Sequence, residues 1–221
     1  ITGNFNPEYA LEYIKEIEET RSLEKQDEIE IKKEEEPDHV FQAEQIIHQN
    51  VSIPKAFLGI KLNLTNLSKK YSKYMIRRYL HMYMNTQFGN TSLLQEQLIN
   101  ENIINSEIEI DQISTDDHLL YILFADTKKP EILLDKMIEQ LQNQKIEEAD
   151  FIRKKKLYLA SNISMSDNIY RLNEKVINDI LLNKEVITDF YKVYDELNLE
   201  TLYDIIQNLD FSNICKLIVK D

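Results

Sequence analysis

The 221-residue chain holds only 3 glycines, 4 prolines and 1 cysteine, and no tryptophan. Each shortage removes a class. So few glycines cannot build a collagen repeat or a Gly/Ser linker, and four prolines cannot build a proline-rich segment. The glycine-dependent patterns G-x-x-x-x-G-K-[ST], G-x-G-x-x-G and G-x-S-x-G do not occur, so the common nucleotide-cradling and nucleophile-elbow designs are out. A disulfide framework is impossible with Cys215 alone. No stretch approaches the ~18 consecutive apolar residues that a membrane helix needs. Positive charge is short as well: 26 Lys and Arg stand against 39 Asp and Glu, a formal net charge of −13. A sequence-independent nucleic-acid binder needs a basic footprint, and so does a protein docking on anionic lipid. Neither nucleic acid nor membrane is therefore expected as a partner. With 43% hydrophobic residues the chain can still bury a core. The composition leaves a soluble, cytoplasmic, globular chain of one large domain, or one domain with an appendage.

What is present is unevenly placed. Residues 1–37 carry 12 acidic and 5 basic side chains, net −7, whereas the other 184 residues carry only −6. The chain opens on Ile1, without an initiator methionine and as if within a strand, and so reads as a piece of a longer protein. Residues 1–5 read as a strand end, Asn6 as an N-cap, and the stretch from Pro7 to about Thr20 as a helix with Tyr9, Tyr13 and Ile17 on its apolar stripe. Residues 21–37 are charged and end on Pro37. They read as a solvated, mobile linker, with a docking site for a basic partner as the rival reading.

After Pro37 the texture changes. Residues 40–51 read as a strand element. Leu58, Ile60, Leu62 and Leu64 share one face of a half-buried strand over residues 56–64. Leu67, Tyr71, Tyr74, Met75, Arg78, Tyr79 and Met82 recur at helical steps as far as Gln87, and Gly89 stops that helix with an expected left-handed conformation. Thr91 or Ser92 caps a short helix through Leu98. Ile104, Ser106, Ile108 and Ile110 alternate as a strand, residues 115–118 make a turn, and residues 119–125 form a buried strand. Asp126 to Pro130 opens a helix to about Gln144. Residues 147–163, 166–182, 188–197 and 201–209 read as further helices, and residues 213–219 as a closing strand. Strands in consecutive pairs imply antiparallel pairing, and grouped helices imply an α+β two-layer domain with helices on one face of the sheet.

Chemistry-bearing residues are scattered. A metal site needs ligands that converge in space. His39, His48, His81 and His118 lie too far apart in sequence to pair along a helix. Cys215 sits in the apolar final strand as a buried thiol. The basic run Arg153-Lys154-Lys155-Lys156 reads as a solvated helix flank, or else as a contact for an acidic peptide or surface. Tyr71, Tyr74, Met75, Tyr79 and Met82 read as core or groove lining. By residue chemistry the chain has no catalytic, cofactor-binding or metal-ligating constellation.

Three stretches, taken together, resemble one family. Thr2-Gly3-Asn4-Phe5-Asn6-Pro7-Glu8 is similar to the final strand-to-helix junction of a domain in the pitrilysin/insulinase-type zinc peptidases, the inverzincins. Phe88-Gly89-Asn90-Thr91-Ser92-Leu93-Leu94-Gln95-Glu96-Gln97-Leu98 resembles a segment of their second half. Asp126-Thr127-Lys128-Lys129-Pro130-Glu131 resembles a turn of the Gram-positive subgroup associated with aminopentanol modification of elongation factor P, and Glu36-Pro37 with Val40 fits the end of that subgroup's linker.

The resemblance implies repeated α+β domains of the metallopeptidase or mitochondrial-processing-peptidase type, mostly antiparallel, with helices on one face. Residues 1–20 would be the terminal strand and helix of the preceding domain, 21–37 the acidic linker between halves, and 38–221 the C-terminal non-catalytic domain. Zinc would lie in the N-terminal half, in an H-x-x-E-H site whose Glu activates the bound water. This chain would line the substrate chamber and close over the peptide. Its implied partners are a peptide or protein substrate, its own N-terminal half, and a homologous peptidase-like subunit or second copy. Active relatives place an Arg and a Tyr where this chain has Ile99 and Ser106, which puts peptide cleavage in question and keeps open the alternative of an inactive scaffold paired with a second such subunit. Neither Ile99 nor Ser106 can donate as Arg or Tyr would.

Overall fold

The computed structural model describes residues 3–21 and 36–221. Ile1 and Thr2 lie outside the described residues, and so do residues 22–35 of the expected linker; residues 3–5 form bends rather than a strand. Helix α1 (Pro7–Thr20) begins as its sequence requires. Asn6 Oδ1 accepts from the backbone N–H groups of Glu8 at 2.9 Å and Tyr9 at 3.2 Å, and Pro7, lacking an N–H, occupies the first turn. No α1 residue is buried, and Tyr9 and Tyr13 stack along its surface.

The remaining chain forms one sheet with a helical layer. The strands are β1 (Glu44–His48), β2 (Lys55–Asn63), β3 (Glu109–Ser114), β4 (His118–Asp126) and β5 (Ile214–Lys220). Their spatial order is β1-β5-β2-β4-β3; every pairing is antiparallel except β1 with β5. The expected α+β class, mostly antiparallel with helices on one face, is the observed one. The expected pairing of consecutive strands holds for β3 and β4, which are joined by the two-residue turn Asp116-Asp117. It fails for β1 and β2, because the last strand of the chain lies between them.

Period-two patterning decides which sheet face is inside. Ala56, Leu58, Ile60 and Leu62 of β2, with Leu119, Tyr121, Leu123 and Ala125 of β4, are buried under the helices. Those helices are α2 (Lys73–Phe88), α3 (Leu93–Asn100), α4 (Pro130–Gln142), α5 (Glu148–Met165), α6 (Ile169–Asn183), α7 (Phe190–Glu196) and α8 (Leu199–Gln207). Ile76, Tyr79, Leu80, Tyr83 and Met84 of α2 pack into the same core, which places Tyr79 and Met82 in the core and leaves Tyr71, Tyr74 and Met75 against its edge.

Three local expectations are corrected. The helix expected from Leu67 starts at Lys73, since Ser72 Oγ accepts from Met75 N–H at 3.2 Å and caps it there; Leu67–Lys69 is a separate 3-10 turn. The strand expected from Ile104 starts at Glu109. Ile104 and Ile108 are buried, but by a loop held by Gln95, whose side chain donates to Ser106 O at 3.0 Å and accepts from Ile108 N–H at 3.1 Å. Gly89 is not left-handed: its φ is −66°. Glycine is required there because a Cβ would lie 2.5 Å from the Asn85 carbonyl oxygen. Of the two expected caps of the next helix, Ser92 serves, accepting from Gln95 N–H at 3.1 Å.

Candidate functional site

The second face of the sheet carries the other half of each strand pattern. Phe57 and Gly59 of β2, Leu120, Ile122 and Phe124 of β4, and Cys215, Leu217 and Val219 of β5 all point there, half-buried and, among the described residues, with no helix over them. Phe57 and Phe124 face each other across the β2–β4 register and stack at 5.3 Å between ring centroids. Ile113 of β3, opposite Leu120, extends the surface to the sheet edge and is 52% exposed. A two-layer domain that leaves this much apolar sheet uncovered has a surface suited to another chain.

At one end the face deepens into a groove of about 700 Å³, lined by Pro37, His39, Val40, Phe41, Ile113 and Cys215 among others. Its rim is the segment where the chain enters the domain, and it is firmly tied. Lys61 pairs with Glu36. His118 Nε2 lies 3.0 Å from Asp38 Oδ1, and Asn63 Nδ2 donates to the same carboxylate at 2.6 Å. Asn213 Nδ2 donates to Asp38 O at 2.7 Å, while Asn213 Oδ1 accepts from Val40 N–H at 3.0 Å. The His118 contact, then Asn63, holds the Asp38 carboxyl below its ordinary range, and Lys61 does the same for Glu36. Phe41 stands fully exposed at the rim. Cys215 lines the groove rather than the core, and burial pushes its thiol up, so it is a poor nucleophile there.

Groups the sequence singled out are dispersed. His39 and His118, the latter at the start of β4, both border the groove, whereas His48 ends edge strand β1 and His81 lies on α2. Among the described residues no group of three or more His, Cys, Asp or Glu side chains is placed to hold a metal ion. Ile99 is exposed on α3, and Ser106 contributes only its carbonyl to Gln95. The basic run is not one solvated flank. Lys154 is buried with its Nζ 3.2 Å from Thr91 Oγ1, and Lys155 donates to Leu197 O at 2.8 Å while lying over the Tyr194 ring. Arg153 pairs with Asp150 at 2.8 Å, leaving Lys156 in solvent. The open sheet face was missed by sequence reading. The intermediate apolar residues 57, 120, 122, 124 and 217 are its signal, because a strand covered on one face only would alternate with polar residues.

No family model matches the sequence, and no curated protein does. Solved structures match it well. A protein described as an M16-like peptidase from Alicyclobacillus acidocaldarius superposes on 99% of the chain with a TM-score of 0.84 at 18% identity. A protease from Helicobacter pylori superposes on 99% with a TM-score of 0.76 at 19% identity. An M16 peptidase inactive domain from Pseudomonas fluorescens superposes on 86% with a TM-score of 0.62 at 13% identity. The chain covers 52%, 53% and 46% of these three chains, and so spans about half their length. It has the fold of M16-like, pitrilysin/insulinase-type peptidase domains. No helix among the described residues is long and apolar enough to cross a membrane.

Proposed function

We propose that this chain is the C-terminal, non-catalytic half of a zinc-peptidase homologue, which presents peptide to a chamber and closes over it. One observation carries the reading: a chain with this fold, about half the length of its structural matches, leaves an apolar sheet face and groove open. Zinc and water activation would belong to the other half, since the described histidines of this one do not converge. The domain assignment follows: residues 1–20 close a preceding domain, 21–37 link the halves, and 38–221 form the chamber half. A Gram-positive origin in the elongation-factor-P-associated subgroup rests on the Asp126–Glu131 segment and on Glu36-Pro37 with Val40. A reducing, cytoplasmic setting fits a chain whose Cys215 has no intrachain partner.

A second reading has its own support. Ile99 and Ser106 offer no side-chain donors of the Arg or Tyr kind, and α6 turns Tyr170, Ile177 and Leu181 outward, 79%, 47% and 62% exposed. An inactive scaffold paired with a second peptidase-like subunit would use such a helix. The test is to assemble this chain with its other half, measure bound zinc, and assay cleavage of an extended apolar peptide. Stoichiometric zinc with cleavage supports the chamber half. Peptide that neither binds nor is cut, with stable pairing to a homologous subunit, overturns it in favour of the scaffold.

A further inference from the structure

On the helical side of the sheet, one stripe of α2 carries Tyr74, Arg77, Arg78 and His81. Together with Gln112 of β3 and Asn178, Asp179, Leu182 and Asn183 of α6 it walls a pocket of about 210 Å³. The two arginines are half-buried, and several of their nitrogens are not partnered as buried guanidinium nitrogens normally are. Arg77 Nη2 makes one long contact to Thr115 O at 3.4 Å, and its Nε and Nη1 are buried without an acceptor. Arg78 Nε is likewise buried without one. The Arg78 guanidinium is held flat by aromatic rings, 4.1 Å from the Tyr158 centroid and 5.6 Å from that of Tyr74, whose hydroxyls meet at 3.0 Å. The neighbouring Tyr121 hydroxyl, within reach of the Arg78 charge, is also buried and unpartnered.

Two carboxylates among the described residues lie nearby. Asp179 lines the pocket but is committed to Lys175 and to the Ile187 N–H at 3.0 Å. Asp116 lies near enough to Arg77 to favour its charge, yet burial dominates and lowers the guanidinium's affinity for its proton. Buried Lys154 adds positive potential at His81. In a chain with 13 more acids than bases, three buried guanidinium nitrogens on two adjacent arginines without acceptors are an arrangement that folding alone would not favour.

We propose that this pocket is an oxyanion site, taking a carboxylate or phosphate group on the donor edges of Arg77 and Arg78, with Gln112 and Asn178 at its mouth. The planar forks suit two-oxygen recognition, the aromatic wall fixes their angle, and the volume admits a group of that size but not a nucleotide. The site is independent of the open sheet face, which lies on the opposite side of the strands.

The test is thermal unfolding with sodium phosphate, sodium acetate or sodium chloride at equal ionic strength, and with a short peptide as free acid and as amide. A saturable rise in Tm with phosphate or acetate over chloride is expected, with affinity falling about tenfold or more in Arg77→Gln and Arg78→Gln. Gln112→Glu, a near-isosteric change at an exposed strand position, should raise Tm in chloride and weaken the phosphate response by supplying the missing charge from within; it also serves if an arginine variant fails to fold. A free-acid peptide that outbinds phosphate identifies a peptide terminus as the source, and phosphate outbinding it identifies a free anion. Oxyanions that act no differently from chloride, or a response unchanged in all three variants, overturn the assignment.

Discussion

The Thr127 hydroxyl donates to the Ile103 carbonyl at 2.5 Å and accepts from the Lys129 N–H at 2.9 Å. It is 2% exposed. One side chain thus ties the turn between β4 and α4 to the loop that follows α3, 24 residues earlier. Thr127→Val keeps the shape and removes the hydroxyl, leaving two backbone groups without this partner. Such a loss costs about 1–3 kcal/mol. The urea midpoint should fall accordingly, and Thr127→Ser should restore most of it; a wild-type midpoint for Thr127→Val would show that the bond is dispensable.

Gly89 and Gly59 should differ sharply. Gly89→Ala places a Cβ 2.5 Å from backbone oxygen of Asn85. That oxygen belongs to the last turn of α2 and accepts the Gly89 N–H at 3.2 Å, so it cannot swing aside. A loss of about 1–3 kcal/mol is expected, as for other forced insertions. Gly59→Ala meets Cys215 Cβ at 3.7 Å, an ordinary contact, and should be neutral or slightly stabilising because glycine weakens a strand interior. Equal thermal shifts for the two variants would contradict this steric account.

Stability should decline on acidification in two windows. Burial, then the charges of Arg78 and Lys154, lower His81 from 6.5 to about 4. The unfolded chain therefore binds more protons than the folded one between those values, and stability falls as pH drops from about 6.5 towards 4. Because His81 is an exposed residue of α2, screening keeps this slope shallow. Further down, Asp38 beside His118 and Asp204 beside Lys70 are held below the usual carboxylate range; their contribution is present at neutral pH and lost as pH falls through their folded values. Urea midpoints from pH 7 to 3 would trace both windows, and His81→Asn should flatten only the upper one.

The open face should be separable from the fold. Ile113→Ser and Phe41→Ser change side chains that are 52% and fully exposed, so stability should stay within about 0.5 kcal/mol of wild type. Binding of a fluorophore-labelled extended apolar peptide, followed by its anisotropy, should weaken in both. Unchanged peptide affinity in the double variant would remove this surface from the proposed function.

Much of the local structure was legible along the chain, because it depends on near neighbours. The β2 alternation, the Asn6-Pro7 start of α1, the Ser92 cap, the Thr115–His118 turn and the order of α4 to α8 follow from periodicity and capping. Errors arose where distant contacts intervened. Ile104 and Ile108 alternate like a strand, but Gln95 occupies the hydrogen bonds that a strand there would need. Lys154 and Lys155 read as solvated until Thr91 and Leu197, far away in sequence, arrived as partners. No dinucleotide or helical step reveals that Arg77 and Arg78 would be short of acceptors, since that depends on α6 and β3 closing over them.

By itself, then, the sequence determined which residues form helices and strands, which strand face is apolar, and that no ligand cluster lies within one element. Only the tertiary structure decided that β5 enters between β1 and β2, that no described helix covers one apolar sheet face, and which charges are turned inward. The physical reason is one of range: capping and periodicity act within a few residues, whereas sheet order and desolvation depend on groups that meet only after the chain has closed on itself.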